Sequence, residues 1–316
     1  HGDLERDYNN FNIDQTFWSQ GPGNFRDVNQ NRRCDVLQLP SVHDFNVRQF
    51  LSFVQADGYN QLTVATAFFK IFDYNDVHTV AARLAPPGPS QDAVKALLMK
   101  PFRPGQLFND LAKKDVKITM PREDLLNLVA SYADQVAAGQ YAQNGFWTDH
   151  FTYHLDLVTN FLSVYPDEKA SMLYDSEPIP YYMSPGRVTN RTEKNMLAPM
   201  EKIRQYDAVA SSPAKLAQLQ IIYGEPQYVG DATGGGMWQR TAKGETMKVS
   251  IIAKLCSLAA AKFAIMDPLG MGVEMEAGKP GWNDAMNGLP ALFGSETPSA
   301  YELHEIVDFV GATDGG

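Results

Sequence analysis

Apolar side chains recur at three- and four-residue spacing in six separate stretches of this 316-residue chain, and long connections rich in glycine, proline and asparagine lie between them. That spacing lines one face of a helix, so each stretch reads as an amphipathic helix that must bury one side. Residues 43–57 place Phe45, Phe50, Leu51 and Val54 near one face. Residues 122–138 open on Pro121-Arg122-Glu123-Asp124, a helix-start signal, and carry Leu125, Leu128, Val129 and Tyr132. Residues 147–164 repeat the pattern with Phe151, Leu155, Val158, Phe161 and Leu162. Residues 212–222, 244–265 and 298–310 complete the set; the second of these is apolar nearly all round, which predicts burial on most sides.

Strand signals are weak. Leu62-Thr63-Val64-Ala65-Thr66 fits a strand, and Ala65 to Phe72 fits a helix equally well. The expected fold class is therefore all-α. The connections 17–31, 84–91, 174–192, 223–241 and 269–290 are long for a compact domain and contain aromatics, which points to ordered, functional loops.

A hydrophobic content of 44% suffices for one large core or two modest ones. The net charge of −10 argues against a nucleic-acid partner or an anionic membrane surface. It suits an enzyme acting on a neutral substrate, and an anionic co-substrate would need a local cationic site. No apolar run approaches the roughly 18 residues of a membrane span. Cys34 and Cys256 are far apart and in no metal or redox spacing; Cys256, within Ile251–Cys256, reads as a core thiol. A cytoplasmic enzyme is the expectation. The start at His1 and the end at Gly316 read as a segment of a longer protein.

The chemistry is concentrated in the connections. All four tryptophans, Trp18, Trp147, Trp238 and Trp282, stand in or beside Gly- or Asn-rich loops. An indole beside amides and carboxylates suits a sugar, whose C–H face packs on the ring while its hydroxyls bond the polar groups; the plainer role is to anchor a loop on the core. In Gly278–Gly288, Asp284 lies among Trp282, Asn283, Asn287 and glycines. Desolvation beside an indole raises a carboxyl pKa and suits it to donate a proton near neutral pH. Capping the following turn is the alternative role for Asp284 or Asn287. In Gly21–Gln30, Arg26 and Asp27 adjoin Asn29 and Gln30, a set that fits hydroxyls and anions or, more simply, a surface ion pair. Asn144–His150 holds Trp147 and Asp149 at a helix start, where Asp149 also fits an N-cap.

Two patterns carry less. His150 and His154 share a helix face, but no Glu follows His150 as in the zinc-protease motif. Gly234-Gly235-Gly236 lacks the Lys and Ser/Thr of a P-loop. No metal or organic cofactor is expected.

Gly281-Trp282-Asn283-Asp284-Ala285-Met286-Asn287 resembles the Trp-Asn-Asp-Gly-Met-Asn signature of glycoside hydrolase family 94, the cellobiose phosphorylases, and Phe25-Arg26-Asp27-Val28-Asn29-Gln30 resembles that family's Phe-Arg-Asp-Ser-Asn-Gln-Asp segment. The motifs occur in the family's order, and Trp147–His150 is a looser match to a third. The β-1,3-glucan phosphorylases of families 149 and 161 are similar in the same way. The resemblance implies an (α/α)6 barrel, incomplete in this chain, with residues 1–316 forming part of one catalytic domain that lacks the N-terminal β-sandwich and the C-terminal part of the barrel. It implies that Asp284 protonates the glycosidic oxygen, that Arg26 and Asp27 bind the sugar on the non-reducing side, with Arg26 near the phosphate, and that Trp282 lines the same site. Asn29, Gln30, Trp147, Asp149 and Asn283 complete the expected substrate contacts. Asn31 stands where the family has Asp and Ala285 where it has Gly, and no match is found for the family's distal phosphate-binding His and Thr-Gly pair.

The implied reaction is inverting phosphorolysis of a β-glucosidic bond in an oligosaccharide or β-glucan, with inorganic phosphate as co-substrate and α-glucose 1-phosphate as product. An inverting hydrolase would instead need a second carboxylate roughly 6.5–9.5 Å away to activate water, with Asp27 and Asp149 as candidates. A non-catalytic carbohydrate-binding segment is the third reading. An incomplete barrel would expose apolar helix faces, so a homodimer or the remaining parts of the same protein are expected partners.

Overall fold

The computed structural model describes residues 23–58, 63–118, 120–140, 150–190, 193, 195–198, 202–205, 209–223, 237–267, 269–275 and 294–313. Among them the chain is mostly helical with short strands, and no barrel is traced. The helices are α1 (Phe25–Arg32), α2 (Asp35–Gln38), α3 (Phe45–Ser52), α4 (Tyr74–Leu84), α5 (Pro89–Leu98), α6 (Pro104–Lys113), α7 (Arg122–Ala130), α8 (His150–Val164), α9 (Pro213–Tyr223), α10 (Ile251–Phe263) and α11 (Thr297–Gly311). The strands are β1 (Gly23–Asn24), β2 (Thr63–Lys70), β3 (Asp134–Gln140), β4 (Ile179–Pro180), β5 (Tyr182–Met183), β6 (Gly186–Val188), β7 (Asn195–Ala198), β8 (Lys202–Gln205), β9 (Val209–Ser211), β10 (Met237–Trp238), β11 (Lys248–Val249), β12 (Val273–Glu274) and β13 (Ser295–Glu296). No helix among the described residues is long and apolar enough to cross a membrane. The chain divides into two compact units, one formed by Asn24–Thr63 with Gln140–Gly316 and the other containing Val64–Gly139.

In the first unit α8 is the central element. Its Phe151, Val158 and Phe161 are wholly buried, as their spacing predicts, and α1, α2, α3 and α11 pack on it. Phe25 of α1 meets Phe50 and Phe53 edge-on at 5.7 and 6.1 Å, and Phe53 continues the cluster to Tyr182 at 5.7 Å. These separations lie in the favourable range for aromatic pairs. α10 presents Ile251, Leu255 and Leu258 to the core and packs on α11. Cys256 is exposed, which corrects the expectation of a core thiol: one residue past Leu255 is a turn of about 100° away from the buried face.

The first unit also holds five two-stranded antiparallel ladders, β4 with β11, β5 with β10, β6 with β9, β7 with β8 and β12 with β13. β4, β5 and β6 fall in the connection 174–192, so part of that loop is ordered by backbone pairing. The helix expected over 244–265 starts only at Ile251. Ahead of it, Thr241 and Glu245 close a turn around Gly244 at φ +84°, and the Ser250 hydroxyl accepts from Ala253 N at 3.4 Å to cap the helix.

The second unit has its own core of Val77, Val80, Leu84, Val94, Leu98, Leu107, Leu111, Leu125 and Val129. Asp73 caps α4 by accepting from Asn75 N at 2.7 Å, and Pro89 and Pro104 open α5 and α6. The helix expected over 122–138 ends at Ala130, and β3 follows beside β2. Strand pairing overrides the helical spacing there.

Candidate functional site

The Arg26–Gln30 segment, expected as loop, is the body of helix α1. Helical turns separate its polar residues by burial. Asn29 is fully buried, Arg26 and Gln30 are half-buried, and Asp27 lies in the first turn with its side chain outside the described set. The Asn29 amide Nδ2 lies 3.5 Å from Nδ1 of His154, itself fully buried on α8. His154 Nε2 is 3.2 Å from the Phe50 carbonyl, which can only accept, so the proton sits on Nε2 and Nδ1 accepts from Asn29. The imidazole also stacks on Phe25 at 5.7 Å and 27°. Both ring nitrogens thus hold protein groups, and no cluster of three or more metal-ligating side chains occurs among the described residues.

The far end of α1 is held by the same neighbours. Asn160 Nδ2 donates to the Arg33 carbonyl at 2.9 Å, and Asn46 Nδ2 donates to the Arg32 carbonyl at 3.1 Å, so side chains satisfy carbonyls that a helix end leaves open. Arg33 pairs with Asp156 at 3.1 Å and covers the Tyr153 ring. Burial pushes the Asp156 carboxyl up, and Arg33 only partly opposes it.

Asp284, Asn283 and Trp282 lie outside the described residues, as do Trp147, Asp149, Trp18 and Gly234–Gly236. The two ends of the Asp284 segment are described. Val273 pairs with Glu296 and Glu274 with Ser295, and Met275 N donates to the Gly294 carbonyl at 3.0 Å. The Ser295 hydroxyl donates to Asp267 at 2.9 Å. The described residues on either side of the segment are therefore held together at one ladder, which lies in sequence between α10 and α11. Gly272 makes the ladder possible: at φ +146°, an added Cβ would stand 2.6 Å from the Glu296 carbonyl oxygen. Trp238, the one tryptophan described, stacks on Phe53 at 6.1 Å and meets Tyr182 edge-on at 5.6 Å; it anchors the β5–β10 ladder on the core.

Two buried polar groups escape sequence reasoning. Lys254 is fully buried in α10, and its ammonium donates to the carbonyls of Val54 at 3.1 Å and Pro180 at 2.9 Å above the Tyr181 ring. Burial pushes this amine well below the usual lysine range. Gln55, also buried, accepts from Ser184 N at 2.7 Å and from Lys215 Nζ at 3.4 Å. Neither has a sequence signal beyond a polar residue in an apolar setting: Lys254 within Ile251–Leu255, Gln55 after Phe53-Val54. His154 had one, since it falls among the apolar positions of α8.

No protein-family model, curated protein or solved structure matches the chain.

Proposed function

We propose that this chain carries part of the catalytic domain of an inverting glycoside phosphorylase acting on a β-linked glucan or oligosaccharide. The observation that carries the reading is the pair of sequence motifs Phe25–Gln30 and Gly281–Asn287, in the order shared with family 94. Two structural facts support it. Helix α1, which holds the first motif, packs on α8, which begins one residue after the Trp147–Asp149 segment. The described residues that flank the Asp284 segment, Val273–Met275 and Gly294–Glu296, are held side by side by the β12–β13 ladder and the Met275–Gly294 hydrogen bond. The fold that goes with this reading is an (α/α)6 barrel of which the first unit's helices form a part.

In this mechanism Asp284 gives its proton to the glycosidic oxygen as the bond from that oxygen to the anomeric carbon breaks. A phosphate oxygen attacks the same carbon from the opposite face, so the product is the α-glucosyl phosphate and no protein base is required. Arg26 and Asp27 bind the sugar of the non-reducing side, and Arg26 supplies a local cation for phosphate against the chain's net charge of −10.

The test is incubation of the protein with β-linked glucose oligomers, with and without inorganic phosphate, and assay of glucose 1-phosphate. Phosphate-dependent release is expected, and Asp284→Asn should abolish it while the circular dichroism spectrum is unchanged. Full activity in that variant overturns the assignment of the general acid. Turnover independent of phosphate indicates hydrolysis, and binding without turnover a non-catalytic carbohydrate-binding segment.

A further inference from the structure

We propose that Asn29 and His154 are positioning residues for oligosaccharide binding: their buried bond fixes the azimuth of α1 and thereby the place of Arg26 and Asp27. This rests on the assignment of Arg26 and Asp27 to the sugar site. Three observations carry it. Asn29 lies three residues beyond Arg26, on the neighbouring ridge of the same short helix, so a rotation of α1 about its axis moves both together. His154 is held on three sides, by the Phe50 carbonyl, the Phe25 ring and the Asn29 amide, and so makes a rigid stop against which α1 is set. An asparagine–histidine pair, both wholly buried, is also a costly way to fill a seam that an apolar pair would fill without polar desolvation. A directional bond fixes orientation where apolar contact alone permits a helix to slip.

A double-mutant cycle reads this directly. Affinity for β-1,3- and β-1,4-linked glucose tetramers is measured by titration calorimetry without phosphate, and kcat/KM with it. His154→Phe keeps the ring stacked on Phe25 and deletes both bonds; His154→Gln keeps an N–H able to reach Phe50. His154→Phe is expected to weaken oligosaccharide binding about tenfold to a hundredfold, the range a small misplacement produces, and His154→Gln to recover part of the loss. In an Arg26→Ala background the same substitution should add less than about threefold, because the group it positions is gone. Equal losses in both backgrounds overturn the inference, as does a fall in Tm with binding unchanged. If His154→Phe does not fold, the cycle is read with His154→Gln, whose loss must likewise vanish beside Arg26→Ala. Coupled binding without phosphorolysis leaves the positioning role standing and sinks the phosphorylase reading alone; absence of oligosaccharide binding by the unaltered protein sinks both.

Discussion

Lys254 illustrates how a single residue can tie a fold together and leave a titration signature. Its amine joins the end of α3, strand β4 and helix α10 through two carbonyls and an aromatic face. Because its folded pKa is lowered, the unfolded chain binds the proton more tightly between that value and about 10.4, so stability rises with pH across this window. Lys254→Met should flatten that rise in urea midpoints measured from pH 8 to 11; an unchanged slope would assign it to other groups. His43 has the opposite sign. Its partial burial lowers the pKa, but hydrogen bonds and charge from Asp44 and Glu168 outweigh that and raise it. Its contribution is full below about pH 6.5 and fades as pH rises through the folded value. The stability difference between the protein and His43→Gln should therefore be larger at pH 5.5 than at pH 8, and smaller in high salt because the ring is partly exposed.

Among the elements, legibility followed length. The fifteen-residue helices α8 and α11 are close to their expected bounds because several turns of apolar spacing specify them. α1 was missed because its eight residues bury one wholly apolar side chain, Phe25, and one amide, Asn29, which reads as loop in a one-dimensional pattern. α4, α5 and α6 were not expected either, although Asp73, Pro89 and Pro104 mark their starts. The two-residue strands β4, β5 and β10 are too short to show alternation, so no period could reveal them. For the site, the Phe25–Gln30 motif was legible as composition, but not that Asn29 faces inward to His154, since that depends on a partner 125 residues away. The β12–β13 ladder is testable on its own: Gly272→Ala forces a Cβ against Glu296 in a backbone region reserved for glycine, and should cost on the order of 1–3 kcal/mol, read as a fall in Tm.

At the scale of the molecule, each unit carries its own core, so damage should stay local. Leu98 is wholly buried in the second unit, and Leu98→Ala should cost about 2–5 kcal/mol there. Calorimetry is expected to show one of two transitions lowered and the other unmoved; a common shift would mean the chain melts as one body. The order of segments has a further consequence, for synthesis. Val64–Gly139, which holds the core of the second unit, lies in sequence between the two long parts of the first, Asn24–Thr63 and Gln140–Gly316. At about 5–20 residues per second, Asn29 waits about 6–25 s for its histidine to be made. Through that interval helices α1 and α3 lack α8, the element on which they pack, while the residues of the second unit's core from Val77 to Val129 have all been made, so that core can close while the first unit is still half synthesised.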